Sequence, residues 1–365
     1  MNTTTLLLVA IPALVLAWAN GANDVSKGVA TLIGSGIASA RRAILWGTLW
    51  TVLGGLAALA WGSALVGTFA NGFLTPQFPM TLEFLAGVLT GAFAWLLLAT
   101  RAGWPVSTTH ALLGGIVGAA LLVAGPEGLK LSAVGNKALL PLLASPLLAI
   151  GLCWVMLVGT RWVAGKVPVW RPGCCPEDEW RKDPFVCAPD GKTPRSLRRK
   201  VLTALHWASG GATSFARGLN DVPKMAALLI VAAAPVASQA SIGAASGHTA
   251  AIAIVAVTLI MGLGSVWGGM RVAKVLAHRV TTMDTERGLV ANMGTSLLVL
   301  AASPLGLPVS TTHVSTGALM GIRWADKLTP EQGDALRAIL FAWFVTLPIA
   351  AGFAAAATAL IQKLI

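Results

Sequence analysis

The chain has 365 residues, of which 56% are hydrophobic and 11% charged. An ordinary soluble domain carries about a quarter charged residues, so a water-soluble globular surface is excluded; the lack of strand-length alternation excludes a transmembrane barrel. The net charge of +12 does not point to nucleic acid, because ten of the 26 Lys and Arg fall between Arg161 and Lys200, the pattern of a cytoplasmic loop under the positive-inside rule.

The N-terminal MNTTTLLLVA has no basic region ahead of its apolar run, so a cleaved signal peptide is not expected. Apolar segments follow at 6–36, 43–67, 80–100, 104–124 and 138–163, several of them long enough for a hydrocarbon core of about 30 Å. The first is interrupted by Gly21, Asn23, Asp24 and Lys27. Gly with Asx breaks a helix, and an unwound turn at membrane depth is tolerated only where it lines protein or a wet cavity. A carboxylate with amide and backbone oxygens is the environment a small cation prefers. Asp24 and Lys27 can also pair at i,i+3, a structural role that locks the break.

The fourth segment opens with PVSTTH, Pro105 to His110. Pro suits the first turn of a helix and Ser or Thr its cap. A helix N-terminus with Ser107, Thr108 and Thr109 makes an anion site; the plainer reading is an N-cap. His110 reads either as a packed imidazole or as a proton carrier. Glu83 reads either as a snorkelled surface charge or as a functional group. Cys153, in an apolar span, reads as packing. The polar stretch 166–200 holds Cys174, Cys175 and Cys187. Their CC-x11-C spacing matches no standard zinc pattern, and reduced thiols in a cytosolic loop are expected.

The second half has apolar segments at 201–235, 247–270, 286–303, 307–322 and 337–362. FARGLNDVPKMAA (215–227) repeats WANGANDVSKGVA (18–30) at an offset of 197, which pairs Asn220, Asp221 and Lys224 with Asn23, Asp24 and Lys27. PVSTTH returns as Pro308 to His313 at an offset of 203, bringing Ser310, Thr311, Thr312 and His313, and Gly114 and Gly118 recur as Gly317 and Gly321. Glu286 matches Glu83 and carries the same two readings. One repeat is residues 1–165, the other 201–365, and 166–200 is a cytoplasmic linker.

Five passages is an odd number, so the second copy inserts upside down. The basic residues agree. Arg41, Arg42, Arg101 and Arg161 in one half, and Arg271, Lys274, Arg279, Arg287, Arg323, Lys327 and Arg337 in the other, fall on the linker's side. The stretches 68–79, 236–246 and 304–306 carry no Lys or Arg, and only Lys130 and Lys137 depart from the rule. The expectation is an all-α polytopic membrane protein of two inverted-topology repeats with about five passages each and broken or re-entrant helices at the centre. Whether 104–124 and 307–322 span or re-enter stays open.

GANDVSKGVA, GLNDVPKMAA and the paired PVSTTH strings resemble the signatures of the PiT family of inorganic phosphate transporters over the whole chain except 166–200. The resemblance implies a multi-pass secondary transporter of the plasma (inner) membrane, in contact with lipid, with no enzyme activity and no cofactor. It implies an inorganic phosphate site lined by Ser107, Thr108, Thr109, Ser310, Thr311 and Thr312. Coupling to H+ or Na+ would run through Asn23, Asp24, Asn220 and Asp221, with Na+ held at Asp24 and Asp221. The chain departs from sodium-coupled relatives by carrying Lys27 and Lys224 where they have Asn, and Trp50 and Asn292 where they have a membrane Glu. These lysines are read as charge partners of the Asp residues or as anion contacts, and they lean the reading towards H+. They also leave open a sulfate or related oxyanion permease. His110 and His313 stand as a proton relay in the H+ reading, and the architecture allows a homodimer. An anion channel is a weaker alternative, since two focal polar clusters fit an occluding carrier better than a continuous wet pore. An intramembrane hydrolase is disfavoured because a nucleophile needs one oriented base, not two related copies.

Overall fold

The computed structural model describes residues 3–166, 195–233, 247–278, 283–323 and 329–364. Cys174, Cys175 and Cys187, most of the 166–200 linker, the 236–246 stretch, Arg279 and Lys327 lie outside the described residues. What is described is helical apart from turns and one isolated bridge between Leu74 and Leu129. The first half supplies α1 (Thr3–Asp24), α2 (Ser26–Gly34), α3 (Ala40–Trp61), α4 (Ser63–Ala70), α5 (Leu82–Ala102), α6 (Thr108–Ala124) and α7 (Leu140–Lys166). The second supplies α8 (Arg195–Ala233), α9 (Gly247–Gly268), α10 (Met270–His278), α11 (Thr285–Ala302), α12 (Thr311–Gly321) and α13 (Pro330–Leu364).

Among the described residues, seven helical stretches are long and apolar enough to cross a membrane. The other apolar segments of the sequence fall short for separate reasons. α8 is interrupted by Arg217, Asp221 and Lys224 and begins with a basic stretch inside the segment read as linker. α6 has 17 residues. α12 has 11 residues, which at about 1.5 Å per residue is roughly half the thickness of the hydrocarbon core.

Each element packs against the counterpart of its own neighbour. α1 lies on α9 as α8 lies on α3, and α6 lies on α13 as α12 lies on α7. Glycines permit this at matched places. A Cβ on Gly21 would strike Met261 O, and one on Gly218 would strike Thr51 O; the same holds for Gly114 at Leu347 O and Gly317 at Pro146 O. Backbones therefore touch, as small residues allow between membrane helices. Two apolar clusters result, one holding Leu16, Leu85, Leu112 and Leu228, the other Leu32, Leu276, Val290 and Leu319. Along α1 and α2 the change from one cluster to the other falls at the Asn-Asp motif. Leu147, Ile252, Trp267 and Phe344 on α7, α9 and α13 stand exposed, as side chains of an integral membrane protein do when they face the acyl chains.

Candidate functional site

The two PVSTTH strings build the same local structure. Ser107 and Ser310 are N-caps with extended backbone, and their Oγ atoms accept from His110 N (3.1 Å) and His313 N (3.2 Å). The capping expectation is met by the serines. The prolines are not in the first helical turn: Pro105 and Pro308 lie two residues before the caps, in extended segments that bring the chain back from α5 and from α11. Gly103, at φ +76°, and Gly306, at φ +67°, make the left-handed turns that start this return.

The Asn-Asp motifs differ from each other. In the first copy the helix is interrupted at Val25, where Ser26 Oγ donates to Asn23 O at 2.8 Å. In the second, Pro223 stands in place of Ser26 and α8 runs straight through. The sequence expectation of a broken turn in both copies is therefore corrected for the second.

The motifs then meet. Asp24 is ion-paired to Lys27, and Asp221 to Lys224 at 3.4 Å, all four side chains buried. Each lysine also reaches a carbonyl of its own half's PVSTTH string, Lys27 to Val106 O (3.4 Å) and Lys224 to Val309 O (2.9 Å). The threonines cross over: Thr312 Oγ1 donates to Val106 O (2.7 Å) and Thr109 Oγ1 to Val309 O (3.3 Å). Lys224 Nζ also donates to Thr109 Oγ1 at 2.8 Å. Asn23 ties α1 to the other end of the hairpin, donating to Thr100 Oγ1 (3.0 Å) and Trp104 O (2.9 Å) and accepting from Val106 N (3.3 Å). Asn220 donates to Val309 O at 3.2 Å and to Asp221 Oδ1 at 2.9 Å.

Thr108 Oγ1 donates to Asp24 Oδ2 (3.4 Å); Thr311 is buried at the related place without that tie to Asp221. The imidazoles of His110 and His313 lie 4.3 Å apart, and His313 stacks on Trp343 at 3.8 Å. Among the described residues no hydrogen bond joins either ring to Asp24 or Asp221. Glu83 and Glu286 sit in the first turns of α5 and α11, at the far ends of those helices from the central cluster.

Two residues of the cluster escaped sequence reasoning. Asn20 Nδ2 donates to Thr108 Oγ1 (2.8 Å), to Asp24 Oδ2 (3.1 Å) and to Asp221 Oδ2 (3.4 Å), so one amide bridges both carboxylates. Its counterpart at the 197 offset is Arg217, buried, donating to Thr51 Oγ1 (3.1 Å) and Ser265 Oγ (3.3 Å), with its Nε and Nη1 unpartnered. Both lie inside the repeated strings, and a basic residue in an apolar run was the available signal for Arg217. Among the described residues no group of His, Cys, Asp and Glu has a metal-binding arrangement. What the cluster offers is cationic and hydroxyl donors from both halves, aimed at one another through two backbone carbonyls.

Known proteins resemble this chain in sequence and in fold. A family model described as the phosphate transporter family matches residues 20–354. A Mycobacterium tuberculosis protein named "probable low-affinity inorganic phosphate transporter" is 28% identical over 94% of this chain and 75% of its own length. A Rhizobium meliloti protein of the same name is 26% identical over 93% of this chain and 91% of its own length. A solved structure titled "The sodium-dependent phosphate transporter" is similar with a TM-score of 0.82, covering 100% of both chains at 23% identity, a level of likeness that speaks for the fold.

Proposed function

The chain belongs to the phosphate transporter family, and from that premise and the site's geometry we propose that it is a symporter taking up inorganic phosphate across the plasma membrane. Its two repeats, 1–165 and 201–365, are inserted in opposite senses around the linker, which lies on the cytoplasmic side. Apolar faces of α3, α7, α9 and α13 contact lipid. The hairpins α5–α6 and α11–α12 enter from opposite sides, and rocking of one repeat against the other alternates access.

The observation that carries the reading is the crossed contact of Thr109 with Val309 O and Thr312 with Val106 O, with Lys27 and Lys224 at the same carbonyls. A tetrahedral anion entering there exchanges carbonyl acceptors for its own oxygens. It takes hydroxyls from both halves, the N-terminal N–H groups of α6 and α12, and two ammonium groups as point charges. Removing water makes each such contact stronger than in solution.

H+ is favoured over Na+ as the coupling ion. Each Asp of the two motifs already has an ammonium partner, which fills the electrostatic place of a bound cation. With Arg217 the buried cluster holds three cations and two carboxylates, so a singly charged phosphate neutralises it without a metal ion. A doubly charged phosphate does so when it brings one proton, and the paired imidazoles of His110 and His313, which directly follow the two Ser-Thr-Thr strings, are groups suited to relaying it.

The test is uptake of labelled phosphate and of sulfate into proteoliposomes under an imposed proton or sodium gradient. Saturable phosphate accumulation driven by the proton gradient, unaffected by sodium and weakly competed by sulfate, is the expected result. Accumulation of sulfate in preference to phosphate assigns the oxyanion alternative, and phosphate uptake under neither gradient removes the reading.

A further inference from the structure

On one side of the central cluster several polar side chains are buried among aliphatic ones. Thr31, His206, Asn292, Thr295 and Ser315 are all more than nine-tenths buried. Thr31 Oγ1 accepts from Asn292 Nδ2 at 2.8 Å and lies 3.1 Å from His206 Nε2. Thr295 and Ser315 turn their hydroxyls back onto Ala291 O (2.8 Å) and Thr312 O (3.2 Å). His206 Nδ1 is buried without a partner. A crevice of about 10 Å³, enough for roughly one water, opens among Lys27, Thr31, Asn292, Thr295 and Ser315 under Leu276 and Leu319.

The repeat supplies a built-in control. At the offsets of 197 and 203, the counterparts of Thr31, His206, Asn292, Thr295 and Ser315 are Leu228, Val9, Leu89, Ala92 and Leu112. All five are buried members of the larger apolar cluster. The same backbone positions thus pack well with aliphatic side chains. Burying polar groups in their place costs free energy unless they serve a ligand or one another. Mutual hydrogen bonding accounts for Thr31 and Asn292. It leaves unexplained why Thr31, Asn292, Thr295 and Ser315 line one crevice together with Lys27.

We propose that this crevice is a second oxyanion station, lying between the central site and the face where α2 ends and α11 begins. Among its aliphatic lining stand one lysine, one amide and three hydroxyls; the single carboxylate nearby is Asp24, already paired to that lysine, so the donors left over can receive an anion. Lys27 belongs to both places and hands the anion from one to the other. In the present state Leu276 and Leu319 close the station, so an anion enters only when the α11–α12 hairpin moves away from α10. The related path on the opposite side is a dry apolar seal, which makes the route asymmetric although the scaffold is duplicated. This inference rests on the phosphate reading above.

The experiment measures phosphate influx and efflux separately in proteoliposomes of defined orientation, for wild type, Asn292→Leu (the residue at the related position) and Thr295→Val. For phosphate presented at the α2–α11 face, the half-saturating concentration is expected to rise about tenfold in Asn292→Leu, as for loss of one hydrogen bond to a charged group. From the opposite face it should stay within about twofold. Thr295→Val is nearly isosteric and carries the test if Asn292→Leu does not elute as wild type. Unchanged half-saturation at both faces overturns the station, and so does an equal rise at both, which is the mark of damage to the central site. Wild-type protein that carries no phosphate from either face overturns the function reading itself, and this inference with it, before any variant is compared.

Discussion

At the scale of single residues, the central cluster is held by pairs whose members are not interchangeable. Removing one partner of a buried ion pair leaves an uncompensated charge and costs about 3–5 kcal/mol, whereas removing both is close to neutral. Asp24→Asn is therefore expected to lower the thermal unfolding midpoint in detergent sharply, and Asp24→Asn with Lys27→Met to recover most of the loss. Equal melting of the single and double variants would show that the pair is not coupled. The crossing threonines separate binding from folding. Thr312→Val gives up one hydroxyl contact between halves and Thr109→Val two, its own to Val309 O and the one it accepts from Lys224 Nζ, each worth about 1 kcal/mol of stability, while both remove a donor to the anion. Uptake should fall about tenfold or more with little change in melting. Ser107→Ala should lower melting by a comparable amount, since the cap is worth about 1 kcal/mol to α6, but leave uptake little changed, because its oxygen is already engaged by His110 N. Substituting Asn for both Lys27 and Lys224 removes the two resident ammonium groups, and sodium stimulation of uptake is expected to appear in that variant and not in wild type.

At the scale of elements, the two halves use the same parts with different tolerances. α1 and α2 are separated at Val25, next to the Ser26 hydroxyl that takes the Asn23 carbonyl, whereas α8 runs on through Pro223 at the matched place. The PVSTTH helices are short because each starts at the cluster rather than at a membrane face, and their caps replace the turn that a longer helix would have had. They are pinned to the long helices of the other half by backbone contact. Gly114→Val forces α6 away from α13 at Leu347 O, and Gly317→Val forces α12 from α7 at Pro146 O. Each is expected to destabilise by about 1–3 kcal/mol, the usual cost of overpacking, read as a drop in melting midpoint. Gly151, which a Cβ would leave in open space, is the neutral control.

At the scale of the molecule, reciprocal packing means that neither half is complete alone: α1 needs α9, α8 needs α3, and each PVSTTH helix lies against the last helix of the other half. Two repeats of one orientation could not place two helix N-termini against each other, which is why the proposed opposite insertion suits the crossed contacts of Thr109 and Thr312. The proposed insertion also predicts sidedness. In a background with the native cysteines replaced by serine, Asn71→Cys should react with a membrane-impermeant maleimide added to intact cells, and Ser39→Cys only after the membrane is opened. Both positions are exposed. Labelling of both from outside would overturn the orientation.

The sequence by itself determined that the chain is a helical membrane protein with two related halves, and it singled out the ionisable and hydroxyl groups that its apolar runs would otherwise exclude, because burying such a group is costly. The repeat offsets paired Asp24 with Asp221 and Lys27 with Lys224, and in the structure these four side chains are buried as two ion pairs. Only the tertiary structure decided the rest. That Thr109 reaches Val309 O and Thr312 reaches Val106 O depends on contacts about 200 residues apart, set by how two hairpins cross. Asn20 and Arg217 drew no notice because an amide and a guanidinium at related positions do not look like a repeat. The polar crevice beside Lys27 was hidden for the same reason: it lies where the two copies differ, and a difference between repeats acquires meaning only when the backbone shows that the positions correspond.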